Sequence, residues 1–139
     1  MARVTRYMLD TNTISHLLKE HPAVARRVTA TAMTFLCMSV ITQGELMFGV
    51  AKRPEATRLH LAVQELLRRV DVHSWDSAAA ECYGTVRAAV ARRGKVLAPL
   101  DLLIAAHALS LGAVLVTNDK AFGQVDALPI EDWSSDQAV

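Results

Sequence analysis

Short, almost uninterrupted apolar runs alternate along this chain with segments whose apolar residues recur at helical spacing. The runs predicted to be strands cover residues 7–9, 34–38 and 113–116, with further extended candidates at 71–75 and 128–130. The helices predicted between them cover residues 14–18, 22–30, 42–52, 55–70, 79–93 and 102–111. A strand covered on both faces is apolar on both sides, and the crossover between parallel strands is usually a helix. The pattern therefore predicts an α/β fold with a central parallel sheet of four to five strands, flanked by helices on both faces.

The length and composition of the chain limit it to one compact unit. It has 139 residues, of which 52% are hydrophobic. That allows one sizeable core but not two ordinary domains, so we expect a single domain over residues 1–139. The longest apolar runs, such as residues 102–106, are far shorter than the roughly 20 residues that cross a bilayer, and the first residues contain no apolar signal segment. We expect a soluble, cytoplasmic protein that does not contact a membrane.

The residue types that carry chemistry argue against several common enzyme classes. The two cysteines, Cys37 and Cys82, lie in apolar segments without C-x-x-C spacing, which predicts small core residues and neither a disulfide nor a zinc site. The five histidines show no H-E-x-x-H or comparable ligand spacing, and the chain contains neither a G-x-G-x-x-G nor a P-loop motif. A zinc protease, a dinucleotide-binding enzyme and a P-loop NTPase are therefore disfavoured.

Four acidic residues stand at the predicted sheet edge where ligands bind in parallel sheets. Asp10 and Asp119 follow predicted strands, while Glu45 and Asp101 lie in or just before helices that start from the same edge. Four carboxylates in one crevice repel one another, at about 3 kcal/mol for each pair about 5 Å apart with an effective dielectric near 20. Mg²⁺ or Mn²⁺ would remove that repulsion, since these hard cations take oxygen ligands together with water and phosphate oxygens. The pattern predicts a divalent metal site for a substrate that carries phosphates.

Each of these acids also has an ordinary explanation. Asp10 and Asp101 stand where helix N-termini attract negative charge. Thr42 and Glu45 have the spacing of a capping box, and residues 118–119 are typical of a turn. Capping alone does not require four such residues to share one edge, so the joint pattern favours the metal site.

Three small polar residues, Asn12, Ser39 and Thr117, lie beside the acids in the sequence. They are candidates for orienting metal ligands or contacting a phosphate, and simple helix caps are the alternative. The net charge is only +1, but the four acids hold much of the negative charge, and basic residues occur in pairs over the rest of the chain. A basic surface around an acidic crevice suits a polyanion, although solvated helix faces explain any single basic pair equally well.

Five blocks of sequence carry a family resemblance. The blocks are MLDTN at 8–12, TQGELMFG at 42–49, PLDLLIAAHA at 99–108, LVTND at 115–119 and EDW at 131–133. In this order and spacing they resemble the PIN domain, in particular the VapC-type ribonuclease toxins of type II toxin-antitoxin modules. Two positions depart from the family pattern: Ala98 stands where many relatives have glycine, and Asp119 occupies the most variable acidic position, often asparagine in relatives. The resemblance extends over nearly the whole chain and implies a PIN-like fold.

The resemblance also implies an activity. It implies an endoribonuclease that depends on Mg²⁺, with Mn²⁺ as a substitute, and whose acidic set is Asp10, Glu45, Asp101 and Asp119. Such an enzyme hydrolyses phosphodiester bonds in RNA, often tRNA, through a metal-activated water. A small VapB-type antitoxin neutralises it by placing its tail in the active-site groove. The resemblance further implies a homodimer that meets DNA only through the antitoxin complex.

Two basic residues near these blocks have less definite roles. Arg87 is a candidate contact for RNA phosphates or for the antitoxin, because a guanidinium fork matches phosphate, and a solvated helix position is equally compatible with the sequence. His107 lies about 240° around the predicted helix from Asp101, at about 100° per residue. We therefore expect His107 to be packed or at an interface, facing away from the metal.

Two other functions stay open from the sequence. A related metal nuclease would act on DNA or in RNA maturation, and a non-catalytic domain would use the carboxylates only to receive a basic partner peptide. Metal-dependent cleavage of RNA compared with DNA distinguishes the two nucleases. Absence of Mg²⁺ or Mn²⁺ binding would favour the non-catalytic domain.

Overall fold

The computed structural model describes residues 5–135 as a parallel sheet covered by helices. The strands are β1 (Tyr7–Leu9), β2 (Leu36–Ser39), β3 (Asp71–His73), β4 (Val114–Val116) and β5 (Ile130–Glu131). The α-helices are α1 (Thr11–Leu18), α2 (Pro22–Ala30), α3 (Val40–Ala51), α4 (Thr57–Arg69), α5 (Ser77–Arg92) and α6 (Pro99–Ser110). Two short 3₁₀ helices cover Met33–Phe35 and Lys120–Gln124.

All five strands of the sheet are parallel, in the order β3-β2-β1-β4-β5. β1 lies at the centre, where Met8 pairs with Cys37 of β2 and with Leu115 of β4. The chain first builds the sheet on one side of β1, through β2 and β3, and then crosses to the other side at β4. Ligands of parallel sheets bind at such a switch point, outside the carboxyl ends of the strands. The predicted parallel sheet is confirmed, with five strands.

Side chains of the strands point alternately into two cores on opposite faces of the sheet. Met8 and Leu115 belong to one core, together with buried residues of α5 and α6. Leu9 and Val116 belong to the other core, together with residues of α1, α3 and α4. Because the central strands β1 and β4 are covered on both faces, their successive residues are all apolar. The prediction of helices on both faces is confirmed.

Two strands, β2 and β5, begin two residues later than predicted. The strand predicted at 34–38 begins at Leu36, because Met33–Phe35 first forms a 3₁₀ turn. The strand predicted at 128–130 begins only at Ile130, since Pro129 has no N–H to donate to the sheet. The carbonyl of Pro129 still accepts a hydrogen bond from the Leu115 N–H at 2.9 Å, so pairing starts one residue before the strand.

Four helices begin two or three residues earlier than predicted: α1, α3, α5 and α6. α5 begins at Ser77 rather than 79, because the Asp76 carboxylate caps it by accepting a hydrogen bond from the Ala79 N–H at 3.1 Å. α6 begins at Pro99 rather than 102, in keeping with the preference for proline in the first turn of a helix. This longer α6 places Asp101 inside the first helical turn.

The cysteines behave differently from each other. Cys37 is fully buried beside β1, and burial raises the pKa of its thiol to about 12, as a core residue requires. Cys82 on α5 is only half-buried, so the predicted core position is wrong for it.

Within residues 5–135, no helix is both long and apolar enough to span a bilayer. The two ends of the single domain predicted over 1–139, residues 1–4 and 136–139, lie outside the described residues. The prediction that the first residues contain no apolar signal segment concerns positions that lie largely outside the described residues.

Candidate active site

The carboxyl edge of the sheet gathers the four predicted acids. Asp10 follows β1 directly, and Asp119 follows its neighbour β4 after a short turn. Glu45 lies on α3, which starts where β2 ends, and Asp101 lies in the first turn of α6. The fold therefore brings together residues from four separate stretches of the chain at the switch point beside β1.

Asp10 is the most deeply buried of the four acids. Only 3% of its surface is exposed, and its Oδ1 accepts a hydrogen bond from the Thr13 N–H at 2.8 Å, which caps α1. Burial raises the pKa of the Asp10 carboxyl, hydrogen bonds from Thr117 and Thr13 partly oppose this, and the charge of Asp119 raises it further. The helix-cap interpretation is thus correct for Asp10, but a buried carboxylate beside a second one is more than a cap requires.

The pKa of Asp101 is affected by the charges of all three other acids. It is half-buried, and desolvation raises the pKa of its carboxyl first, followed by the negative charges of Asp119, Asp10 and Glu45. Like charges raise a carboxyl pKa in this way only when they lie close together in a poorly solvated place. The four carboxylates therefore form one electrostatic cluster, which we call the acidic crevice.

Glu45 is held in the acidic crevice by a residue that sequence reasoning did not assign to the site. The Thr11 hydroxyl donates a 2.5 Å hydrogen bond to Glu45 Oε1 and lies 3.3 Å from the Thr42 hydroxyl. The predicted capping box of Thr42 and Glu45 is wrong, because the Ser39 hydroxyl caps α3 and Thr42 lies inside the helix. The only available signal for Thr11 was its position next to Asp10, since its partner is 34 residues away.

Asp119 and Thr117 form a compact turn after β4. The Asp119 N–H donates to the Thr117 hydroxyl at 3.0 Å, and Asp119 Oδ1 accepts from the Ala121 N–H at 2.9 Å. The predicted turn at 118–119 is therefore present. Thr117 is 2% exposed, and its hydroxyl lowers the pKa of the Asp10 carboxyl, so it acts on two members of the acidic crevice.

The two other predicted supporting residues are placed differently. Asn12 is exposed on the first turn of α1, next to Asp10. Ser39 is fully buried, where its hydroxyl accepts a hydrogen bond from the Ile41 N–H at 3.1 Å and lies 2.7 Å from His107 Nδ1. Asn12 is thus accessible to a ligand, whereas Ser39 serves the fold around the crevice.

Arg87 lies on the solvent side of α5. Its Nη1 donates a 2.9 Å hydrogen bond to the Tyr83 hydroxyl, and its guanidinium carbon is 5.9 Å from the centre of that ring. It also lines a shallow groove that includes Pro99, the first residue of α6. Arg87 therefore shares a groove with the end of α6 that carries Asp101.

The donor atoms of the acidic crevice suit a hard divalent cation. Among residues 5–135, no three His, Cys, Asp or Glu side chains form a ready-made set of metal ligands. Mg²⁺ does not need one, because it usually binds through one or two carboxylates and keeps several waters. The oxygen-only set of Asp10, Glu45, Asp101 and Asp119, with no thiolate or imidazole, fits Mg²⁺ or Mn²⁺ and does not fit zinc.

A parallel sheet with an acidic crevice at its switch point is the architecture of the PIN domain. The sequence model of that family, described as PIN domain, matches residues 7–128. The chain therefore belongs to the PIN-domain family.

Within this family the chain is of the VapC type. It is 37% identical over 130 residues to the tRNA(fMet)-specific endonuclease VapC of Shigella flexneri, covering 93% of this chain and 98% of the relative. It is 33% identical over 130 residues to ribonuclease VapC2 of Haemophilus influenzae strain Rd, covering 92% and 98%. The crystal structure of DNA-bound VapBC from Salmonella typhimurium has a TM-score of 0.87 and 36% identity, covering 94% of this chain and 99% of that chain.

Proposed function

We propose that the chain is a Mg²⁺-dependent endoribonuclease toxin that hydrolyses phosphodiester bonds in tRNA and is neutralised by a small VapB-type antitoxin. The observation that carries the proposal is the acidic crevice, in which the charges of Asp10, Glu45 and Asp119 all raise the pKa of Asp101. The relatives named as tRNA-specific endonuclease and ribonuclease support RNA as the substrate. Mn²⁺ is the expected substitute metal, since it prefers the same oxygen ligands.

In this proposal each of the four acids has a stated role, and neighbouring hydrogen bonds hold three of them in place. Asp10 and Asp101 hold the ion, and the hydrogen bond from the Thr13 N–H fixes the Asp10 carboxylate. Glu45, oriented by Thr11, and Asp119, held in its turn by Thr117, bind either the ion or the water that attacks the phosphate. When bound, the cation would lower the pKa of a water molecule and neutralise charge on the phosphate oxygens.

The substrate carries negative charge that the acidic crevice alone would repel. Arg87, exposed near the start of α6, is the proposed contact for an RNA phosphate. Its hydrogen bond to Tyr83 limits the orientations of the guanidinium, which reduces the entropy lost when a phosphate binds. Asn12, exposed beside Asp10, is the second proposed polar contact.

The proposal is tested with purified protein, tRNA and a single-stranded DNA of matched length. We expect Mg²⁺ to support cleavage of tRNA, EDTA to abolish it, Mn²⁺ to restore it, and DNA to remain intact. Cleavage of DNA at a similar rate would favour the related nuclease, and an inactive protein that binds neither metal would favour the non-catalytic domain. Comparison of tRNA(fMet) with other tRNAs tests how far the specificity named for the relative extends to this chain.

A groove between α1, α3 and α4 is the proposed site of the antitoxin. Its floor is apolar and includes Leu46, Leu59 and Val63, and it runs beside Thr11 and Glu45 at the acidic crevice. Three basic residues line its rim: Lys19, Lys52 and Arg53. Such a groove suits an amphipathic segment with an apolar face and acidic flanks. The solved VapBC complexes of similar fold support an antitoxin as its occupant.

A charge placed in this groove should abolish antitoxin binding. Leu59→Glu puts a carboxylate on the apolar wall, so we expect the antitoxin's affinity to fall by about 100-fold or more, as for the loss of a central interface residue. Leu61→Glu is the matched control, because Leu61 is on the same helix, is 60% exposed and lies outside the groove. Equal affinities of the two variants for the antitoxin in calorimetry would place its binding site elsewhere.

Three further parts of the proposal concern the assembly and its location. We propose that the chain forms a homodimer, that it meets DNA only through the antitoxin complex, and that it works in the cytoplasm. Light scattering of the purified chain measures the dimer. Gel-shift experiments with the chain alone and with its antitoxin measure the dependence of DNA binding on the partner.

A further inference from the structure

A buried hydrogen bond connects the two helices that carry Glu45 and Asp101. His107 on α6 is 1% exposed, and its Nδ1 lies 2.7 Å from the hydroxyl of Ser39, which is fully buried at the start of α3. The expectation that His107 is a packed residue is therefore confirmed. The bond joins residues that are 68 positions apart in the sequence, and it links α6 to the start of α3, the helix it packs against.

The position of this bond relative to the acids is symmetrical. Glu45 lies six positions after Ser39 on α3, and Asp101 lies six positions before His107 on α6. Glu45 and Asp101 interact through their charges, while Ser39 and His107 are in contact, so the two helices run in opposite directions across this interface. Each acid is about 9 Å along its helix from the bond, because a helix rises about 1.5 Å per residue. A shift of either helix at the bond would therefore change the spacing of the two carboxylates.

The bond also determines how α3 begins. The Ser39 hydroxyl accepts from the Ile41 N–H at 3.1 Å, which caps the helix, and it contacts His107 at the same time. Burial lowers the pKa of His107, the charge of His73 lowers it further, and the Ser74 carbonyl and Asp76 act in the opposite direction. A neutral imidazole is able to accept the hydroxyl proton of Ser39 or to donate its own, so the contact holds in either tautomer.

We propose that His107 is a positioning residue that sets the distance between Glu45 and Asp101, and thereby the affinity of the acidic crevice for its divalent cation, through its hydrogen bond to Ser39. His107 touches neither the ion nor the substrate. It acts through the α3–α6 interface, as groups that orient metal ligands do in other sites. The inference rests on the proposed metal-dependent function.

The test compares Mn²⁺ binding by variants of the full chain, measured by calorimetry and by the paramagnetic resonance of free Mn²⁺. His107→Leu removes the hydrogen bond and fills the same space with an apolar side chain of similar size. We expect the Kd for Mn²⁺ to rise about tenfold. His107→Asn offers an amide group near the position of Nδ1, so we expect it to remain within about threefold of the wild type. Ser39→Ala breaks the same bond from the other side and should weaken binding at least as much as His107→Leu.

The control separates positioning from general loss of stability. Leu128→Ala removes buried apolar atoms from the core that contains α6, at a residue outside both helices. We expect it to lower the thermal midpoint without raising the Kd for Mn²⁺. If His107→Leu does not fold, Ser39→Ala serves in its place against the same control.

Two results would overturn the inference in different ways. Unchanged Mn²⁺ affinity in His107→Leu, or a loss no larger than in Leu128→Ala at equal loss of thermal midpoint, would remove the positioning role and leave the metal site intact. A wild-type chain that binds no Mn²⁺ would instead overturn the proposed function, and the positioning role with it.

Discussion

Replacement of Asp10 by asparagine should reduce kcat/KM for RNA cleavage by about 10³-fold while leaving the fold intact. The change removes a negative charge from the acidic crevice but keeps a side-chain oxygen that is able to accept the Thr13 N–H bond and cap α1. Loss of one hydrogen-bond donor that stabilises transition-state charge costs about 10²–10³-fold in other enzymes, and loss of a metal ligand should reach the upper end of that range. The measurement is the rate of tRNA cleavage with saturating Mg²⁺, with circular dichroism as the check on folding.

Asp76→Asn is the matched control for this experiment. Asp76 caps α5 through the Ala79 N–H at 3.1 Å, much as Asp10 caps α1 through the Thr13 N–H at 2.8 Å. Asp76 is exposed and contributes no charge to the pKa of Asp10 or of Asp101. If Asp10 were only a helix cap, the two variants would have the same activity, so equal rates would restore the capping interpretation.

Replacement of Asp101 by asparagine should inactivate the enzyme and, without metal, make it more stable. The carboxylate of Asp101 is destabilised by burial and by three negative neighbours, and asparagine removes that cost. In EDTA we therefore expect the thermal midpoint to rise by roughly 2–4 °C, the shift that about 1 kcal/mol produces in a domain of roughly 150 residues. With saturating Mg²⁺ the order should reverse, because only the wild type gains stability from binding the ion. Differential scanning calorimetry under both conditions measures both effects.

The effect of pH on the same pair of proteins gives an independent check. Because the pKa of Asp101 is raised in the folded protein, the folded state takes up a proton at a higher pH than the unfolded chain does. The cost of the ionised carboxylate is therefore present above the raised pKa and disappears as the pH falls through it towards 3.8. The difference in thermal midpoint between Asp101→Asn and the metal-free wild type should shrink over that interval. A difference that is independent of pH would show that Asp101 is not destabilised by its ionisation.

The parallel sheet was predictable because burial on both faces leaves a direct trace in the sequence. Residues 113–116 and 7–9 are apolar without alternation, and both form strands of the predicted kind, β4 and β1. The strand predicted at 34–38 was misplaced because apolar Met33 and Phe35 continue the run, although they lie in a 3₁₀ turn and are 42% and 37% exposed. Hydrophobicity shows that a segment packs, but local hydrogen bonds decide where the strand begins.

The order of strands and helices predicted where the four acids lie, but not the side-chain contacts that hold them. Placing Asp10 and Asp119 after strands, and Glu45 and Asp101 near helix starts, was enough to predict that they share one edge of the sheet. The contacts that hold them were not predictable, because they join side chains distant in sequence: Thr11 with Glu45, and Ser39 with His107. Ser39 illustrates the limit, since its position beside the acids suggested a ligand contact, whereas burial and its two hydrogen bonds give it a role within the fold.

The most direct test of the metal site is the anomalous scattering of Mn²⁺ in crystals of the wild-type protein grown with that ion. The account predicts one strong peak in the acidic crevice, about 2.1 Å from carboxylate oxygens of Asp10 and Asp101, with Glu45 and Asp119 in direct or water-mediated contact. Crystals of Asp10→Asn grown with Mn²⁺ under the same conditions should show no anomalous peak at this position. A wild-type map with no Mn²⁺ peak among the four carboxylates, at a concentration that supports RNA cleavage, would contradict the account.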